Sequence, residues 1–311
     1  MKPVVVTIPT KDPFNFSLYS ETFNLQEYRL PYHYSTQFWR TLFHIDSDEL
    51  VPVEVVPDSP RNCRRLEVRI FHDVDTDVLR FVEQTIESIF CTTKSVERTD
   101  GFPQQLGDFV KKCRGLKPHL SQDPFQSLVK IIVRQLIGAE HAKTIITNIT
   151  RNLGESVVEA ERIFYGFPEA DRLASASKSE LLSSGVGYKW RCIKTIADCV
   201  ARGDLDFELL RGMSNEEVMK ALEEFDGIGD WSAQVFLFDG LHRLDVYPVF
   251  DITVRRALEL MRVVDNYCAR TSGNHDWNSF GPSELAGFYA TYLFAYFRQV
   301  RSLGTQRQAK I

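Results

Sequence analysis

Residues 218–236 read VMKALEEFDGIGDWSAQVF, a helical pattern that runs into Gly227-Ile228-Gly229 and resumes immediately after it. Two glycines around one apolar residue permit a tight hairpin with positive φ, in which Ile228 plugs into the core. The second helix then begins with free N–H groups facing outward, where they can bind one backbone phosphate. Because a single Gly-x-Gly often occurs in a plain helical hairpin, that interpretation stays open beside phosphate binding.

Helical patterns continue on both sides of this hairpin. Asp123-Pro124 predicts a helix start, with Asp123 as N-cap and proline at the first helical position. The apolar face of this helix then follows at helical spacing, as Phe125, Leu128, Val129, Ile132 and Leu136. Further helices are predicted at 141–153, 177–183, 189–202, 214–225, 230–241, 251–264 and 282–300.

The first hundred residues have a different character. Residues 66–71, LEVRIF, begin with the apolar–polar alternation of a half-buried strand, and residues 51–56 give a second candidate. A helix with one apolar face follows over 76–90. The sequence therefore predicts an α+β fold, with a small N-terminal sheet domain over 1–107 and an all-α domain over 108–311.

Composition narrows the class of protein. The chain has 311 residues, 43% of them hydrophobic, and no run approaches the roughly 18–20 apolar residues of a membrane span. The N-terminal apolar run is too short for a signal peptide, so we expect an intracellular protein that is not secreted. Its six cysteines form no Cys-x-x-Cys pair, which favours reduced thiols over a zinc site or disulfides.

The net charge of −5 is unfavourable for binding phosphates, which requires local basic surface. The segment 291–311 supplies four basic residues and no acidic one. Any nucleic-acid surface is therefore expected to be local and to lie in the C-terminal two thirds of the chain.

A second segment, residues 245–258, reads DVYPVFDITVRRAL and places Asp251 twenty residues after Trp231. With the hairpin, it resembles the helix-hairpin-helix (HhH-GPD) DNA glycosylase superfamily, which shares a Gly-h-Gly hairpin followed by Asp-Val-x-Pro-x-x-Asp. The segments 123–138, 167–189 and 13–18 resemble further family segments in the same order. The resemblance thus covers nearly the whole chain.

This resemblance implies two helical subdomains with the active-site cleft between them, and damaged double-stranded DNA as the partner of a monomer. Asp251 occupies the position of the catalytic carboxylate; the alternative is a helix N-cap, and the two roles are compatible. Leu136 matches the position of a wedge inserted into the duplex, although a last core position of its helix is equally plausible. The other residues assigned to DNA binding are Gln135, Gly227, Gly229 and Ser232.

The base pocket and a cation site follow from the same resemblance. Trp231 would line the pocket, since a cationic base prefers an aromatic face, although core packing is the alternative. Phe280, Tyr289, Phe294 and Arg298 would add to the pocket, with the same alternative for the aromatic residues. The backbone carbonyls of Glu223, Phe225 and Gly227 would hold a structural Na⁺ or K⁺.

Trp231 also indicates the branch, because bifunctional members carry a nucleophilic lysine at its position. An indole cannot form a Schiff base, so no AP lyase activity is expected. Lys189 is interpreted as a surface or phosphate-facing residue. Only Cys268 lies beyond the expected catalytic residue, so no iron–sulfur cluster is expected, and no cofactor is required.

The resulting hypothesis is a monofunctional glycosylase that flips out and excises alkylated purines of the 3-methyladenine type, leaving an abasic site. An oxidised- or deaminated-purine glycosylase is an alternative, as is a helix-hairpin-helix DNA-binding protein without catalysis. Asp226 and Asp230 depart from the family pattern, in which proline and a basic or neutral residue are common at these positions. Two carboxylates beside a phosphate would weaken its binding. We expect a cytoplasmic protein if the source is prokaryotic and a nuclear one if it is eukaryotic.

Overall fold

The computed structural model describes residues 2–23, 30–45, 49–95, 104–246, 248, 250–260 and 283–308. In this part of the chain a five-stranded antiparallel sheet is followed by a mostly helical region, which confirms the predicted α+β fold. No helix of the described residues is long and apolar enough to cross a membrane.

The N-terminal sheet has the strand order β1-β5-β4-β3-β2. The strands are β1 (Val4–Pro9), β2 (His33–Tyr34), β3 (Trp39–His44), β4 (Leu50–Pro57) and β5 (Arg65–Ile70). Val55 on β4 lies opposite Trp39 on one side and Val68 on the other, and all three side chains are buried. The two strands predicted at 51–56 and 66–71 are therefore confirmed.

Two helices accompany the sheet, α1 (Ser17–Phe23) and α2 (Thr76–Ile89). Asp75 caps α2 by accepting hydrogen bonds from the N–H groups of Asp77 and Val78. The predicted apolar face of α2 is buried, as Val78, Val82, Ile86 and Ile89.

The helical region follows the predicted order, with short additions. Its helices are α3 (Gln104–Lys112), α4 (Pro124–Arg134), α5 (Ala139–Leu153), α6 (Ala170–Ser175), α7 (Lys178–Ser183), α8 (Trp190–Ala201), α9 (Phe207–Arg211), α10 (Asn215–Glu223), α11 (Asp230–Asp239), α12 (Ile252–Leu260) and α13 (Ala286–Gln308). Asp123 caps α4 through Phe125 N and Gln126 N, as predicted.

The region predicted as entirely helical contains a β-hairpin of β6 (Ser156–Glu159) and β7 (Arg162–Tyr165). It packs on the N-terminal sheet, where Thr41 donates a hydrogen bond to the carbonyl of Tyr165 over 3.2 Å. The rings of Phe164 and Phe71 lie 5.3 Å apart. The prediction was wrong here because these strands are stabilised by packing on a distant sheet.

The buried apolar residues form two large cores. The first joins the N-terminal sheet and α2 to the C-terminal helices, through residues such as Val254 and Ala257 of α12 and Phe288 and Tyr292 of α13. The second core lies entirely within residues 125–246 and includes Ile228 of the hairpin. The chain thus leaves the first core after Leu120 and contributes to it again from Phe238 and Leu244 onward.

Candidate active site at the glycine hairpin

The hairpin between α10 and α11 has the predicted geometry. Gly227 has φ +95°, a conformation that side-chain-bearing residues rarely adopt. Ile228 is buried and its N–H donates to the carbonyl of Phe225 over 3.0 Å. Gly229 is exposed, is extended at φ −126°, and precedes α11 without a side-chain cap. The first turn of α11 therefore starts at the surface with N–H groups that no cap satisfies.

Asp251 lies at the start of α12, with only 8% of its surface exposed. Its Oδ1 accepts hydrogen bonds from Thr253 N at 2.7 Å and from Val254 N at 3.2 Å. This is N-cap geometry, so the structural alternative to catalysis is present. It occupies only one of the two carboxylate oxygens.

The second oxygen of Asp251 faces Trp231 on α11. The indole Nε1 donates a hydrogen bond to Oδ2 over 2.9 Å. The Trp231 ring is half-buried and packs against the second core. The structure therefore brings Trp231 directly to Asp251 and gives the indole a contact with the carboxylate itself.

Two exposed apolar side chains that the sequence reasoning missed flank Asp251. Phe250 and Ile252 are both largely exposed, and the guanidinium carbon of Arg255 lies 5.8 Å from the centre of the Phe250 ring. Their adjacency to Asp251 in the sequence was the available signal. They place exposed apolar surface on both sides of Asp251 along the chain.

Leu136 is 93% exposed, and its φ is +56°. The alternative that it is the last core position of its helix is wrong, because α4 ends at Arg134 and the chain turns outward. An exposed leucine in a left-handed conformation suits an apolar residue that projects from a surface.

Gln135 and Ser232 contact each other rather than projecting from the surface. Gln135 Nε2 donates to the carbonyl of Gly227 over 2.7 Å and to Ser232 Oγ over 2.9 Å. Ser232 is buried. In this structure both side chains therefore join α4 to the hairpin.

Lys189 does not lie on the surface, so that prediction was wrong. It is 5% exposed, and its Nζ donates to the carbonyls of Val133 over 2.7 Å and Gln135 over 2.5 Å. Burial lowers the pKa of Lys189. The acceptors are terminal carbonyls of α4, which no helical N–H can satisfy.

The predicted pocket residues on α13 are only partly accessible. Tyr289 is 4% exposed within the first core, and burial raises the pKa of its phenol. It has too little exposed surface to line an open pocket in this conformation. Phe294 is half-buried against the same core, and Arg298 forms an ion pair of 3.7 Å with Glu140 on α5. Phe280 lies outside the described residues.

Two of the three backbone carbonyls predicted to hold a cation already accept a hydrogen bond. The carbonyl of Phe225 accepts from Ile228 N and that of Gly227 accepts from Gln135 Nε2. Each carbonyl has a second lone pair, so these bonds leave the carbonyls of Glu223, Phe225 and Gly227 compatible with a cation. A hydrogen bond with Asp230 raises the pKa of the exposed Glu223 carboxyl.

No protein-family model matches the chain. The probable N-glycosylase/DNA lyase of Methanothermobacter thermautotrophicus is 25% identical over 285 residues, covering 84% of this chain and 89% of the relative. The DNA-3-methyladenine glycosylase of Saccharomyces cerevisiae is 28% identical over 142 residues, covering 45% of this chain and 47% of the relative.

Two solved structures share the fold over almost the whole chain. The 3-methyladenine DNA-glycosylase from Archaeoglobus fulgidus has a TM-score of 0.76 at 22% identity, over 96% of this chain and 98% of the other. The Clostridium acetobutylicum 8-oxoguanine glycosylase/lyase, in complex with dsDNA containing cytosine opposite to 8-oxoG, has a TM-score of 0.71 at 20% identity, over 97% of both chains.

Proposed function

We propose that this chain, of the helix-hairpin-helix DNA glycosylase superfamily, is a monofunctional DNA glycosylase that excises alkylated purines. The observation that carries this proposal is the arrangement of Asp251. One of its oxygens caps α12, and the other is held by the Trp231 indole. A carboxylate fixed in this way, beside a hairpin that binds DNA, can stabilise the positive charge that develops when a glycosidic bond is cleaved.

The chemistry requires one negative charge in a defined place. The target nucleotide leaves the stack at a cost of a few kcal/mol, and cleavage passes through an oxocarbenium-like sugar. Asp251 stabilises this cation electrostatically and orients the attacking water. A positively charged alkylated purine leaves readily, so the site needs no strong acid to protonate it.

The surrounding elements provide the contacts that duplex DNA requires. The uncapped start of α11 at Gly229 binds a backbone phosphate. Leu136 enters the duplex as an apolar wedge, and Phe250 and Ile252 border the extruded nucleotide. A monovalent cation on the hairpin carbonyls would neutralise part of the phosphate charge there. We also propose that the protein is an intracellular monomer that acts in base excision repair.

The second candidate is a glycosylase with lyase activity on oxidised purines. It is favoured by the relative called an N-glycosylase/DNA lyase and by the structural neighbour called an 8-oxoguanine glycosylase/lyase. Trp231 argues against it, because the side chain that meets Asp251 is an indole without a nucleophilic amine.

The proposal is tested with duplexes that carry an alkylated, deaminated or oxidised purine. Wild type is expected to release alkylated purines without cutting the strand, and Asp251→Asn to slow this release by about 100-fold or more. Asp206→Asn is the matched control, because Asp206 caps α9 through the N–H groups of Glu208 and Leu209. Undiminished release by Asp251→Asn would refute the catalytic assignment, and borohydride-trapped strand scission would favour the second candidate.

A further inference from the structure

Leu136 is held in a conformation that its own backbone disfavours. Gln135 is extended, at φ −56° and ψ 131°, and Leu136 follows at φ +56°. A non-glycine residue in the left-handed region persists only when its surroundings hold it there. The contacts on both sides of Leu136 show what holds it.

The first contact comes from Lys189, which follows α7 in the chain. Its ammonium group bridges the carbonyls of Val133 and Gln135, which lie on the last turn of α4 and immediately before Leu136. These hydrogen bonds are charge-assisted, and the one to Val133 is buried while the one to Gln135 is partly buried, so both are stronger than at an exposed surface. Lys189 thus fixes the backbone from which Leu136 projects.

The second contact comes from the Gln135 side chain. Its Nε2 reaches Gly227 on one side of the hairpin and Ser232 in the first turn of α11 on the other. Trp231, which donates a hydrogen bond to Asp251, immediately precedes Ser232 in the first turn of α11. One unbroken series of hydrogen bonds therefore runs from Lys189 through Gln135 to the hairpin, with the Asp251 contact on the same helical turn.

We propose that Lys189 and Gln135 are positioning residues that fix Leu136 at a set distance from the hairpin, so that the duplex is opened in register with Asp251. This inference rests on the proposed function, in which Leu136 is the wedge and the hairpin binds a phosphate. Neither residue needs to touch the damaged base. Their effect is on where the duplex is opened.

The inference gives the buried Lys189 a role. Lys189→Met removes both hydrogen bonds and leaves the carbonyls of Val133 and Gln135 without this donor. Leu136 then loses the contact that holds its backbone, although the hydrogen bonds of Asp251 are left in place. Lys194 is a matched control, because its Nζ donates to the carbonyls of Ala174 and Ala176 at the end of α6.

Two measurements test the proposal, and the first needs no substrate. Hydrogen exchange of the amides in the last turn of α4, up to Gln135, whose N–H donates to the carbonyl of Ile132, is measured in wild type, Lys189→Met, Lys189→Arg and Lys194→Met. We expect faster exchange in Lys189→Met, wild-type exchange in Lys194→Met, and rescue in Lys189→Arg, which keeps a donor. Unchanged exchange in Lys189→Met would overturn the proposed role of Lys189 in fixing Leu136.

The second measurement follows wedge insertion. A duplex with 2-aminopurine beside an abasic-site analogue reports unstacking by its fluorescence when the full-length protein binds. Lys189→Met and Gln135→Ala are expected to lose this signal as Leu136→Ala does, and to slow base release by the order of 10- to 100-fold, a misplacement effect. Lys194→Met should keep both.

The outcomes separate the two proposals. Equal losses in Lys194→Met and Lys189→Met would mean a general stability effect and would refute the positioning role. If wild type neither unstacks the duplex nor releases a base, the proposed function fails, while the exchange experiment still decides whether Lys189 holds Leu136.

Discussion

Trp231 and Asp251 are twenty residues apart in the chain and form one hydrogen bond of 2.9 Å. Two backbone N–H groups hold the other oxygen of the carboxylate. Three donors thus fix Asp251 in one orientation, and Trp231 is the only one of these donors that a substitution can remove without changing the backbone. The contribution of the indole N–H can therefore be measured separately.

Trp231→Phe keeps an aromatic ring against the second core and removes the N–H donor. Because a hydrogen bond to a charged group contributes about 1.5–3 kcal/mol, we expect single-turnover base release to fall about tenfold or more. Trp190→Phe is the control, since Trp190 also packs against that core but lies over the Lys178 ammonium, with 5.1 Å to the ring centre. Equal rates for Trp231→Phe and wild type would show that the backbone cap alone positions Asp251.

Trp231→Lys tests whether a lysine at this position can act as a nucleophile. The side chain at 231 already reaches the Asp251 carboxylate, so under the proposed function a lysine there would bring its amine towards C1′ of the extruded nucleotide. We expect the variant to condense with C1′ of the abasic sugar, releasing water, and to be trapped by borohydride as a covalent adduct. Trp190→Lys, the control, should give no adduct. If Trp231→Lys gives none either, its amine does not reach C1′.

At the scale of elements, the hairpin depends on its two glycines for different reasons. A Cβ on Gly227, at φ +95°, would lie 3.3 Å from Cys192 Sγ, whereas a Cβ on Gly229 would have nothing within 4 Å. Gly227 is therefore required by backbone conformation and by space. Nothing within the described chain requires glycine at 229, so a requirement for it would have to come from a bound partner.

Gly227→Ala should lower the free energy of unfolding by about 1–3 kcal/mol, because alanine is strained in this conformation. Gly229→Ala should cost less than about 1 kcal/mol, the effect of a poorer N-cap residue. Urea denaturation measures both. If Gly229→Ala also weakens binding to DNA while the protein stays folded, the added methyl group obstructs the phosphate at the start of α11; unchanged binding would place the phosphate elsewhere.

Elements whose determinants are local were predictable from sequence. Asp123 caps α4 and Gly227 turns the hairpin, because each acts within a few residues. The β6–β7 hairpin was not predicted, since it is stabilised by the N-terminal sheet. The burial of Lys189 was not predicted either, because its acceptors are 56 and 54 residues away in the chain.

At the scale of the molecule, a buried polar cluster lies beside the boundary between the two cores. Lys130 of α4 donates to Ser121 Oγ and Gln126 Oε1, both at 3.1 Å, and its Nζ lies 4.8 Å from the centre of the Tyr32 ring. Asp239 of α11 accepts hydrogen bonds from Ser121 and from Ser127, both at 2.6 Å. The charge attraction of Asp239 opposes the burial cost of the ammonium, but does not remove it, since burial lowers the pKa of Lys130 from 10.5 to about 8.

This cluster predicts how stability depends on pH. Between pH 8 and 10.5 the unfolded chain keeps the Lys130 proton that the folded chain has lost, so Lys130 makes the free energy of unfolding rise with pH. The full effect is up to about 3 kcal/mol. Cys63 and Cys91 act in the opposite direction above pH 9, because burial raises the pKa of each thiol from 9.0 to about 12.

The contribution of Lys130 is therefore isolated by difference. Urea denaturation is measured from pH 7.5 to 10 for wild type and for Lys130→Met, which retains Cys63, Cys91 and their opposing effect. Lys130→Met should be less stable at pH 7.5, because it removes the ammonium group that, together with Arg134, favours the charged form of the half-buried Asp239. As the pH rises, the wild-type curve should climb relative to that of the variant. Parallel curves would mean that Lys130 keeps its proton throughout this range, and that its hydrogen bonds and Asp239 offset the cost of burial completely.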